Sequence, residues 1–188
     1  MEVFLWVLAV ACLIAAYLTW LGGRLDHLHS RTEALRASLD GQLVRRAAAA
    51  QAVGDRATHT GALAPAEARR LSAVGFTARA SEVASREVDE NALSRALRDV
   101  LPTRATRDSL AARDPGLDPL LRDLDVAATK VVLARRFYND AVRDTLALRR
   151  NWLIRLFHLA GHASAPGYFE IDDTTPWVDS AMQGPAGL

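Results

Sequence analysis

Hydrophobic positions change their spacing three times along the chain. Val3 to Leu21 reads VFLWVLAVACLIAAYLTWL, 19 positions without a charge. As a helix with a rise of about 1.5 Å per residue it would be about 28 Å long, close to the ~30 Å hydrocarbon layer of a bilayer. Trp6 near one end, and Tyr17 and Trp20 near the other, are where interfacial aromatics belong. After Gly22-Gly23 the apolar positions thin to one stripe: Leu25, Leu28, Thr32, Leu35, Leu39 and Leu43 recur at helical spacing. This first amphipathic helix is expected to continue through Ala47–Ala50 and to fray between Gly54 and Gly61.

A second helix is expected from Pro65, where a missing N–H costs nothing. Its stripe is Leu71, Val74, Val83, Val88, Leu93, Leu97 and Val100, and Pro102 ends it at Leu101. Glu82/Arg86 and Arg95/Asp99 are spaced as supporting ion pairs on its surface, and Gly75 weakens its middle. Thr103 to Leu117 reads as a connector with one helical turn around Ser109–Arg113. Asp118-Pro119 then opens a third helix, as N-cap and first position. Here Leu117, Leu120, Leu124, Ala127, Val131, Ala134, Tyr138 and Ala141 hold the spacing, and Leu121, Ala128, Val132 and Val142 widen the stripe. This helix should stop between Arg150 and Gly161.

The expected fold is therefore all-α: an N-terminal transmembrane helix followed by an antiparallel bundle of three long helices with a short C-terminal helical cap. The expected parts are an anchor over 1–23, a bundle over 24–171 and a flexible tail over 172–188.

Two competitors to a retained anchor fit the sequence less well. A cleavable signal needs a basic start and a shorter apolar run, whereas here only Glu2 precedes a long one. Cleavage before Cys12 for lipidation would leave nine further apolar residues without purpose. Arg24, Arg31, Arg36, Arg45 and Arg46 follow the run and no Lys or Arg precedes it, so the short N-terminus is expected outside and the bundle in the cytoplasm. The expected location is the cell membrane, crossed once by residues 3–21.

Composition narrows the function classes. Lys+Arg of 23 against Asp+Glu of 22 gives a net charge of +1, which argues against a dedicated nucleic-acid binder. The single cysteine, Cys12, excludes an internal disulfide and any Cys-rich zinc site. No Gly-x-Ser-x-Gly, P-loop or Gly-x-Gly-x-x-Gly occurs, so no catalytic residue and no cofactor is expected.

The run Ala134-Arg135-Arg136-Phe137-Tyr138-Asn139-Asp140-Ala141-Val142-Arg143-Asp144 strongly resembles the signature of the LemA family. Ser38 to Arg46 resembles that family's first-helix Asp-x-Gln-Leu-x-Arg-Arg, and Glu90 to Leu97 its second-helix stretch. Leu117 to Leu124 resembles the start of its third helix, and Gly167-Tyr168-Phe169-Glu170 its ending. The family's Ile-Pro-Asn-Leu-Val is replaced here by Ala47 to Val53, and its Glu-Asn pair by Ala128-Thr129, so the resemblance is to a divergent member. It implies a membrane-anchored bundle of long helices and no particular reaction.

Three features are candidate sites. Arg135, Arg136, Asn139, Asp140, Arg143 and Asp144 form a dense polar strip, with Arg136/Asp140 and Asn139/Arg143 four apart. It reads either as a docking face or as an inter-helix network in which Arg45 and Arg46 pair with Asp140 or Asp144. Arg149 to Leu159 (RRNWLIRLFHL) is basic and apolar enough for a membrane-surface helix. With helix one leaving the bilayer, helix two returning and helix three leaving again, it is expected instead at the distal end, where Trp152, Leu153, Leu156 and Phe157 would form a cap or partner patch. His158 and His162 have the spacing of a helical metal pair but lack further ligands, so no metal is expected. His27 and His29 read as solvated residues near the bilayer surface, and Asp172-Asp173 as a solvated tail.

The expected function is a non-enzymatic scaffold or adaptor that recruits unknown protein partners at the membrane. The alternatives are a regulatory or metal-dependent subunit with a site near His158/His162, and a structural protein that self-associates as a homo-oligomer.

Overall fold

The computed structural model describes residues 1–157 and 164–173. Among the described residues every regular element is a helix. They are α1 (Glu2–Thr60), α2 (Pro65–Ala80), α3 (Arg86–Val100), α4 (Arg104–Arg113), α5 (Leu117–Arg149) and α6 (Trp152–Leu156). The chain divides into two compact units. One comprises Met1–Ala37 with Phe137–Tyr168, the other Ser38–Arg136 with Phe169–Leu188.

In the second unit the expected fraying of the first helix does not occur. α1 runs to Thr60 and stops at Gly61, whose φ of 68° is the left-handed conformation that glycine adopts freely. Gly54 and Gly75, read from sequence as weak points, are where α1 and α2 touch backbone to backbone. A Cβ on Gly54 would lie 2.5 Å from Ser72 N, and one on Gly75 would lie 2.8 Å from Gln51 N. The two contacts run in opposite senses along the helices, so α2 is antiparallel to α1.

The expected single helix from Pro65 to Leu101 is two helices. The break falls at Ser81–Ser85, where the Ser81 hydroxyl donates to Asp89 Oδ2 at 2.6 Å and meets Ser85 Oγ at 3.0 Å. Serine side chains that bond nearby groups compete with the helical ladder. Arg86 Nη1 donates to the Ala78 carbonyl, which also accepts from Ser81 N at the end of α2. Glu82 and Arg86 are therefore on opposite sides of a turn and not one helix face. Asp99 pairs with Arg70 of α2 at 2.9 Å, where Arg95 had been expected. α3 thus returns antiparallel to α2. The connector holds a full helix, α4, with the Thr103 hydroxyl accepting from Thr106 N at 3.1 Å as its N-cap.

Ala47, Ala50, Val53, Leu71, Ala78, Leu93, Leu97, Leu101, Leu110, Leu117, Leu121 and Leu124 share the core of this unit. The α5 stripe has the phase expected from sequence. The segment 169–173 joins the unit through buried Phe169 and Ile171. Asp172 and Asp173, expected as solvated tail residues, are held in place. Arg98 meets Asp172 at 2.7 Å, and Arg135 Nε donates to Asp173 Oδ2 at 2.7 Å.

The first unit contains the apolar run. Residues 1–17 are all exposed, with an 18-residue window of mean hydropathy 2.3, which makes the start of α1 a candidate membrane span. Gly22 and Gly23 are plain helical positions within α1. Beyond them, Thr32 lies against Thr145 and Arg36 against Tyr138, so α5 runs antiparallel to α1 here.

Candidate functional site

Two places concentrate chemistry. The first, in the second unit, is a buried ion pair. Arg46 follows the Leu39–Leu43 stripe by one turn, so its helix phase points it inward. Glu90 lies on α3, whose next two turns contribute Leu93 and Leu97 to the core. Arg46 Nη2 donates to Glu90 Oε2 at 2.5 Å, and the two side chains are 1% and 0% exposed. Arg46 Nε, Glu90 Oε1 and Ser94 Oγ are enclosed without a hydrogen-bond partner among the described residues. Burial pushes the Glu90 carboxyl above its ordinary range, and the Arg46 guanidinium pulls it back.

Arg46 meets Glu90, which sequence reasoning had not singled out, and not Asp140 or Asp144. The only signal was the two charged residues at stripe positions, since buried charges persist when paired. Arg45, the preceding residue, is exposed. A second ion pair joins Arg56 to Asp114. Nε and Nη2 donate to the two carboxylate oxygens at 2.7 and 2.9 Å. The Arg56 hydrogen bond, helped by the Gly116 N–H, holds Asp114 down at about 2.

The residues of the polar strip on α5 differ in their surroundings. Arg135 turns to Asp173, and Arg136, Asp140, Arg143 and Asp144 are exposed. Arg143 pairs with Asp140 at 3.1 Å, three residues apart, in place of the expected Arg136/Asp140 pairing. Asn139 is half-buried. An open groove of about 800 Å³ beside this face is lined by Arg143, Arg149 and Arg150 with Tyr168.

The second place, in the first unit, is the end of the apolar run. Asn151 breaks the chain out of α5, and its side chain accepts from Leu153 N at 3.0 Å, starting α6. Ile154, 1% exposed, packs with Leu21 and Leu25, and Leu148 and Leu153 cover it. The patch expected at the distal end therefore lies beside the last residues of the candidate span. The reason is the turn at Ser81–Ser85, which reverses the chain once more than the sequence reading allowed. Leu153 faces inward, while Trp152, Leu156 and Phe157 stay 67%, 59% and 47% exposed. At the same level of α1 the Arg24 guanidinium lies 5.5 Å from the Trp20 ring centroid. Further along, Arg149 Nη1 meets His29 Nε2 at 3.3 Å and donates to the Ser164 carbonyl. His29 is thus in contact with α5 and not simply solvated. Tyr138, 4% exposed, donates to the Gly167 carbonyl at 2.7 Å beneath Arg36.

Among the described residues no group of His, Cys, Asp and Glu is arranged to hold a metal. His158 and His162 lie outside the described residues. No family model, curated protein or solved structure matches the chain.

Proposed function

We propose that this is a single-pass membrane protein whose helical bundle acts without catalysis as a scaffold or adaptor, holding protein partners beside the membrane. One observation carries the reading: an apolar helical stretch, exposed over residues 1–17, continues without a break into a helix that packs against others. Such a stretch is stable only when something apolar surrounds it. The arginines that follow it favour a short N-terminus outside and the bundle in the cytoplasm of the cell. The signature-like run from Ala134 to Asp144 supports kinship with the LemA family. Exposed Arg136, Asp140, Arg143 and Asp144 on α5 are the face offered to a partner.

Membranes washed at alkaline pH test the anchor: the chain should stay in the pellet, and release into the supernatant would overturn the reading. Protease added to intact cells should leave the bundle whole, and protease added to inverted vesicles should digest it. The reverse pattern would place the partners outside.

A further inference from the structure

The seating of α6 against Leu21 and Leu25 goes beyond the anchoring reading and rests on it. We propose that α6 is a second membrane contact: it lies in the interfacial layer at the end of the span and inserts Trp152, Leu156 and Phe157 into a bilayer that carries anionic phospholipid.

Axial position supports this first. Leu21 closes the apolar run, and Leu25 is one helical turn further, about 6 Å at ~1.5 Å per residue. The polar layer on each side of the hydrocarbon is about 5–8 Å deep, from a total thickness of ~40–45 Å around a ~30 Å core. Ile154, packed on both leucines, therefore sits within that layer if Leu21 marks the hydrocarbon edge.

The exposed side chains are of the right kind. Trp152 and Leu156, one turn apart, are open on a helix whose buried side is already filled by Ile154, and the aromatic Phe157 is open just past its end. Exposed aromatic and aliphatic side chains on a short segment suit the boundary between headgroups and acyl chains. Interfacial Tyr17 and Trp20 share this end of the span, their ring centroids 5.8 Å apart.

Charge selects the lipid. Arg24 is near the span's end, and exposed Arg150 directly precedes the α6 cap residue. Arg149 is level with His29, about 12 Å past Leu21 by helix rise, and so within about one Debye length of the headgroup layer. Basic groups at that height are drawn to an anionic surface.

Tryptophan fluorescence of the full chain in vesicles tests the proposal. One single-tryptophan variant keeps Trp152 (W6F/W20F/W177F), and another keeps Trp6 (W20F/W152F/W177F). Vesicles of phosphatidylcholine and phosphatidylglycerol carry bromine on their acyl chains. Trp152 should emit at shorter wavelength and lose intensity to bromine, and the loss should be smaller in phosphatidylcholine alone. Emission of Trp152 at the wavelength of a water-exposed indole without quenching, while Trp6 is quenched, would overturn the proposal and leave the anchor standing. If Trp6 is also unquenched, the anchor itself fails and this inference with it. Equal quenching of Trp152 in both lipid mixtures would remove the part played by charge.

Discussion

α1 makes two seams from different materials. Against α2 it presents Ala47, Gln51 and Gly54, and the backbones meet with no side chain between them. Against α5, in the other unit, it presents Thr32 and Arg36. There the Thr32 and Thr145 hydroxyls lie 3.1 Å apart, one donating its single proton to the other, which donates in turn to the carbonyl one turn earlier on its own helix, and Arg36 covers the Tyr138 ring. The first seam is held by shape, because a missing Cβ leaves one fitting register and no slack. The second is held by particular pairs of atoms, each worth about 0.5–1.5 kcal/mol, so it loses strength in small steps. The buried Arg46–Glu90 pair stands beside the shape-held seam. There it adds an all-or-nothing term, since removing one partner strands the other charge.

Breaking that pair should give the largest effect. Arg46→Ala should lower unfolding stability by about 3–5 kcal/mol, whereas Arg46→Met with Glu90→Leu should restore most of it. Urea denaturation in detergent micelles measures both, and an equal loss in the double variant would show that the charges themselves are needed. On the other seam, Tyr138→Ala should cost about 3 kcal/mol, mostly as lost ring packing. If Tyr138→Phe costs as much, the Gly167 hydrogen bond and not the ring is the holding contact. Gly54→Ala should cost about 1–3 kcal/mol, because the added methyl meets the Ser72 backbone, which must move. A neutral outcome on the same melts would show that α1 and α2 can separate cheaply. Thr145→Val should cost about 1 kcal/mol, and Thr32→Val added to it should cost little more, as expected when both members of a bonded pair are removed. Strict additivity would break the description of the second seam.

Acidity sharpens the same contrast within the second unit. Asp114 sits below its ordinary value near 3.8, at about 2, so its contribution is complete above 3.8 and is lost as pH falls through about 2. Glu90 is raised, so its contribution is complete below its ordinary value and declines as pH rises through the folded one. Asp114→Asn should flatten the acid limb of a stability–pH curve and leave the limb above it unchanged. A steep acid limb in that variant would assign the loss to other carboxylates.

Much of the helical layout was legible because it depends on local rules. Pro65 and the leucine spacing of α5 mark a start and a face by themselves. The turn at Ser81–Ser85 was not legible: it has neither glycine nor proline, and it depends on Ser81 reaching Asp89 and Arg86 reaching Ala78. That one missed reversal inverted the expected direction of α5 and sent the Trp152 patch to the wrong end. The partners of Arg46, Asp172 and Asp173 were equally hidden, since each comes from a different element of the chain. Gly54 and Gly75 carried a signal that single-helix reasoning misread. A glycine that weakens one helix can be the surface that another requires.

The unbroken passage of α1 through Gly22 and Gly23 has a mechanical meaning. Neither glycine introduces a swivel, so the apolar run and the Thr32 seam turn as one shaft. A rotation of the run about its axis would arrive at the hydroxyl pair with its angle preserved. A single inserted residue between them would misalign the shaft by about 100°.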